Sequence, residues 1–161
     1  MANPTKVLIA SYTVGVGGAS YIDFTSIPNT YTDIVGYASL RDSSGNVASD
    51  VNIKLNGSDS SKTIIYLQNA GSGFYSFTSV AANGGASTAS TFSNCEIYLP
   101  NYASSYNKSF SIDRVTENNG TTGYAAILSG VWANTSAINQ LTFYGAFVQN
   151  STFYLYGINN S

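Results

Sequence analysis

Short runs of β-branched and aromatic residues recur along this chain, and Gly, Asn, Asp or Ser interrupts them about every ten residues. Runs that short leave helices no foothold but match strands, so the spacing predicts an all-β chain whose strands form two packed antiparallel sheets. Two-residue alternation places individual side chains. In 51–56, Val51, Ile53 and Leu55 face a core while Lys54 faces water. The same reading sets Phe110 and Ile112 against Ser111 and Asp113. It sets Leu141, Phe143 and Phe147 against Thr142, and Phe153 and Leu155 against Thr152. Further strands are expected at 7–14, 20–27, 33–41, 63–67, 74–80, 94–99 and 124–132, for about ten or eleven in all. Residues tolerant of positive φ fall between them, at 42–46, Asn56-Gly57, 69–73, Asn83-Gly84-Gly85 and 118–120. Residues 81–90, small and polar throughout, read as a long exposed loop that is also a candidate partner-binding arm.

At 161 residues the chain suits one domain, which would bury roughly 70% of its unfolded surface. No composition shift divides it, and Pro4, Pro28 and Pro100 sit at strand margins. Residues 1–6 read as an N-terminal tether and 7–161 as the β-sandwich domain. The likeness of 21–27 to 74–80 stops at both ends, so it reads as two strands of similar composition and not as a duplicated unit. Val7-Leu8-Ile9-Ala10 is too short for a secretory h-region or a membrane span, so the chain reads as a complete product made in a cytoplasm. On that route the sequons at Asn56, Asn107, Asn134 and Asn150 are by-products of Asn, Ser and Thr richness.

Charged residues make up 9% of the chain, against roughly 25% in an ordinary domain, while aromatics reach 14% with 13 tyrosines. A net charge of −2 with six scattered basic residues offers no stripe for phosphates, so no nucleic-acid partner is expected. Low charge with many flat rings is instead the composition of surfaces that meet other proteins or sugars. The chain has no histidine, which removes the Ser-His-Asp arrangement and the usual zinc sites. Cys95 shares the face of Ile97 and Leu99 and reads as a buried hydrophobe without a base to activate it. A glycosidase pair would have to come from Glu96, Glu117 and six aspartates, most of them in turns or on polar strand faces. Asp50-Val51-Asn52 and Asn56-Gly57-Ser58-Asp59 offer oxygens to calcium, yet neither is a dense ligand loop, and turn capping explains both. Trp132 alternates with Leu128 and is expected in the core at one end of the sandwich, not stacked on a sugar. No catalytic, cofactor or metal residue is therefore assigned.

Three segments carry a family likeness: 91–102 (TFSNCEIYLPNY), 108–113 (KSFSID) with Glu117-Asn118-Asn119, and 153–158 (FYLYGI). Together they resemble a group of small tailed-phage virion proteins, over about the last seventy residues and in style over the first half. Cys95 departs from the aliphatic residue of that pattern, and Trp132-Ala133-Asn134 from its Trp-Ser-Asn. The resemblance implies a jelly-roll type of β-sandwich on the virion surface, commonly a homotrimer, with no active-site residue. A capsid decoration or cement protein bound to the major capsid protein fits a compact chain without fibre repeats. The alternatives are a tail or head fibre that binds a receptor, and a non-catalytic carbohydrate-binding module. No membrane partner is expected.

Overall fold

The computed structural model describes residues 5–68, 71–75, 79–116 and 123–159. Among the described residues twelve strands follow one another: β1 (Lys6–Thr13), β2 (Ala19–Phe24), β3 (Asp33–Leu40), β4 (Ala48–Leu55), β5 (Lys62–Gln68) and β6 (Gly71–Tyr75). They continue as β7 (Ser79–Asn83), β8 (Ser93–Pro100), β9 (Lys108–Thr116), β10 (Tyr124–Trp132), β11 (Leu141–Phe147) and β12 (Thr152–Ile158). One sheet has eight strands in the order β1-β12-β3-β8-β9-β10-β5-β6, and the other has four in the order β2-β11-β4-β7. Both are antiparallel throughout and pack as a sandwich. The antiparallel sandwich expected from the sequence forms. An eight-stranded jelly roll pairs two Greek keys, and that finer assignment does not follow from an order of eight and four.

Alternation works as expected wherever one face of a strand meets the other sheet. Val51, Ile53, Leu55, Phe110, Ile112, Leu141, Phe143, Phe147, Phe153 and Leu155 are all buried in one core. The rings of Phe143 and Phe147 close on Phe153 at 5.2 and 5.0 Å between centroids, tying the small sheet to the large one. Asn56 and Gly57 both take positive φ between the mutually bonded Leu55 and Ser58, the geometry of a tight hairpin turn. Asn56 then works beyond its turn: its Oδ1 accepts from the Asn139 and Gln140 amides while its Nδ2 donates to Ala137 O.

Two expectations need correction. The single strand at 74–80 is two elements, since β6 pairs with β5 in the large sheet and β7 pairs with β4 in the small one. Residues 81–90 are not a free loop. Ala81, Ala82 and Asn83 finish β7 and are buried because β7 packs across the sandwich on β8 and β9, where only small side chains fit. The rest is fastened by Arg41, whose guanidinium donates to the carbonyls of Gly85, Ser87, Thr88 and Thr91. Of the expected tether at 1–6, Lys6 opens β1 and Thr5 O accepts from the Asn159 amide. Residues 1–4, the turns at 69–70 and 118–120, and Glu117 lie outside the described residues. Lys62 and Lys108 occupy core-facing positions on either side of Trp132, in register with it on β5 and β9.

Candidate binding cleft

The core-facing phase of β5, β10 and β9 is apolar for most of its length: Ile64 and Tyr66, Leu128 and Trp132, Phe110 and Ile112. It turns polar one rung further along. There the register sets Gln68 and Arg114 on either side of Ala126, and Tyr124 follows on the same phase of β10. Ala126 is buried and short, so the two sheets do not close over it. A cleft of about 450 Å³ opens at this end, walled on the other side by the segment from Asn46 to Asp50.

Arg114 organises the cleft. Its Nη1 donates to Asp50 Oδ1 at 2.7 Å and to Ser79 Oγ at 3.2 Å, while Nη2 donates to Tyr66 Oη at 2.8 Å. The guanidinium also lies over the Tyr66 ring, 5.1 Å from its centroid. Tyr66 Oη in turn donates to Gln68 Oε1, which settles the orientation of that amide. The Arg114 side chain is 11% exposed and Asp50 is 56% exposed, so the cation is spent internally and the carboxylate meets solvent. A guanidinium does not give up its proton, hence Asp50 here has a fixed cationic partner and acts as an acceptor.

Comparison with protein families, curated proteins and solved structures finds no match to this chain.

Apart from Asp50, the candidate residues named from the sequence lie elsewhere. Trp132 is buried at the sandwich end, as expected. Cys95 is buried beneath Ala38, whose carbonyl accepts its S–H at 3.6 Å, and burial pushes the thiol up to about 12. Glu96 and Asp113 are register partners on the solvent side of β8 and β9, so this carboxylate pair faces outward and away from the cleft. Asp33 is buried and receives Tyr98 Oη at 2.6 Å and the Asn101 amide at 2.9 Å, and that carboxylate pushes the Tyr98 phenol up to about 12. Asp42 caps its own turn by accepting from the Ser44 amide. Asp23 accepts from Gln140 and Thr142. Among the described residues no three Cys, Asp or Glu side chains gather as a metal site. Asp50, expected from the sequence to cap a turn, stands instead within β4 as Arg114's partner. A second hollow, about 470 Å³, lies along 17–20 and 146–149, but Ser20, Ser43 and Gln149 are the polar side chains that line it.

Arg114, Gln68 and Tyr124 escaped the sequence reading. The available signal was phase: after Phe110 and Ile112 the next core-facing residue of β9 is an arginine, and charge at such a position needs a built partner.

Proposed function

We propose that this protein is a non-catalytic structural subunit of a phage particle, a decoration (cement) protein that binds the capsid shell and holds neighbouring capsid subunits together. The observation that carries the reading is the outer face of the eight-stranded sheet. On β5 and β10, Ile65, Leu67, Ile127 and Val131 point to solvent and are each about half exposed, with Leu67 and Ile127 in register. Toward the other edge the same face carries Tyr37, Tyr98, Tyr154 and Tyr156, with Lys6 Nζ donating to Tyr37 Oη at 2.7 Å. Eight strands spaced by about 4.8 Å make a face roughly 34 Å wide. Such a plane supplies the roughly 800 Å² that one partner contributes to a stable interface. A shell gains from a rigid, repeated clip because anything that binds only the assembled state shifts assembly by mass action. The closed hydrogen-bond ladders of a sandwich leave little backbone to order on docking.

The likeness of 91–102, 108–113 and 153–158 to tailed-phage virion proteins supports the same reading, and the jelly-roll type and homotrimer it implies belong to this proposal. The location is then the virion, assembled in the host cytoplasm. Among the described residues no helix is long and apolar enough to cross a membrane. The test compares particles with and without the protein for DNA release on heating. Release at a lower temperature from bare particles is the expected result. Equal release would sink the cement reading and leave the receptor-binding fibre in its place.

A further inference from the structure

We infer that the cleft at Asp50, Arg114 and Tyr124 binds a neutral saccharide. Its volume of about 450 Å³ falls in the range of small-molecule sites and accommodates one or two pyranose rings. Its polar groups are arranged for hydroxyls. Tyr66 holds Gln68 by its Oε1, so the amide presents N–H donors, while the carboxylate of Asp50, more than half exposed, presents an acceptor. Each sugar hydroxyl is both donor and acceptor, and a neighbouring pair of them matches one donor and one acceptor on opposite walls.

Tyr124 supplies the apolar component. It occupies the core-facing phase of β10 yet is 42% exposed, because the core ends at Ala126 and leaves the ring at the cleft mouth. An aromatic ring so placed offers a platform for the C–H face of a pyranose, and its hydroxyl remains a polar tip. Arg114 contributes by fixing the frame. With Asp50, Ser79 and Tyr66 all bonded to one largely buried guanidinium, little ordering remains to be done on binding.

Charge selects the class of sugar. The Arg114 cation is committed to Asp50 and the exposed member of the pair is the carboxylate, so uronic and sialic acids meet repulsion and neutral hexoses or N-acetylhexosamines do not.

The inference does not rest on the virion reading, since heating of particles and sugar binding fail independently. The full chain is titrated with glucose, galactose, mannose, N-acetylglucosamine and their disaccharides, and with glucuronic and sialic acids, by saturation-transfer NMR and calorimetry. A neutral sugar is expected to bind, with amide shifts centred on Gln68, Ala126 and Tyr124. Tyr124→Ala and Gln68→Ala are expected to weaken it about tenfold or more, while Tyr154→Ala on the outer sheet face leaves it unchanged. Absence of binding by every neutral sugar, preference for an acidic one, or full affinity in both cleft variants would overturn the inference. The amide shifts of the unmutated chain decide the matter should a variant fold poorly, because shifts confined to another surface would also overturn it.

Discussion

At the scale of single residues, the end of the sandwich holding Trp132 shows how a core accommodates charge. Lys62 and Lys108 flank the indole in register, and each ammonium is satisfied by donating to backbone carbonyls. Lys62 reaches Ile53 O at 3.1 Å and Ser58 O at 3.2 Å, and Lys108 reaches those of Tyr106 and Asn134. Burial brings the Lys62 pKa down from 10.5 to about 8, with Asp59 pulling the other way. Between those two values the unfolded chain binds more protons than the folded one, so the Lys62 contribution to stability grows as pH rises and is lost as pH falls through about 8. Denaturation midpoints measured from about pH 7 to about pH 10 are expected to rise for the wild type relative to Lys62→Met, which lacks this titration. A flat or falling difference would show that Lys62 is not desolvated. Gly157 poses a different constraint, because a Cβ there would run into the ring of Tyr31. Gly157→Ala is expected to cost about 1–3 kcal/mol by overpacking, read from the urea midpoint. A neutral result would mean that the Tyr31 ring swings aside.

At the scale of elements, the alternation of small residue groups was legible wherever a strand has one face in the core. Strand β10 has the bounds expected from the sequence, 124–132. Alternation does not report which sheet a strand joins, and for that reason 74–80 reads as one run although β6 and β7 belong to different sheets. It also cannot report that a polar stretch is fastened by a residue forty positions away. The loop after β7 reads as free because its small polar residues show no partner in the sequence; besides its own bonds to the 44–47 segment, it is held by Arg41, just after β3. Its guanidinium gathers four loop carbonyls, with Nη1 to Thr88 O at 2.8 Å the shortest of these bonds. The cleft was hidden for the same reason, since Arg114 makes sense only once Asp50 and Tyr66 from two other strands are beside it. Arg41→Ala removes the shared donor, and hydrogen bonds to a charged group are worth about 1.5–3 kcal/mol. Amide exchange at Ala86 and Ser87 is expected to speed up by at least about tenfold, with little change in the β3 and β8 ladders. Unchanged exchange would assign the fastening to the backbone bonds from Gly84, Gly85 and Ala86 to the 44–47 segment.

At the scale of the whole molecule, the two faces of the large sheet obey different rules. The inner face is paired with the small sheet and its composition follows from packing. Among the described residues no element packs on the outer face, so its composition is read against what it meets outside. An isolated domain would gain solubility from charge there, yet β5 and β10 carry Ile65, Leu67, Ile127 and Val131. The nearest charges on β8 and β9, Glu96 and Asp113, are opposed in register, which is unfavourable in isolation. An exposed apolar patch toward one edge of a sheet, with tyrosines and charges on the rest of that face, marks a contact surface between proteins. On the proposed reading, copies of this chain are expected to associate through this face, with light scattering at micromolar concentration giving the trimer that the virion-protein resemblance implies. Burying one Leu or Ile side chain contributes about 1.5–3 kcal/mol, so placing charge at two register-paired positions should raise the dissociation constant by at least about a hundredfold. Leu67→Lys with Ile127→Lys is the variant of choice, because both side chains point away from the core and their replacement leaves the inner packing intact. A monomer with the wild-type denaturation midpoint extrapolated to low concentration is the expected result. A wild type that stays monomeric and also fails to assemble on capsids would remove association through this face, and the cement reading with it; a double variant that still forms the trimer would move the contact to the tyrosine-bearing edge at β12 and β3.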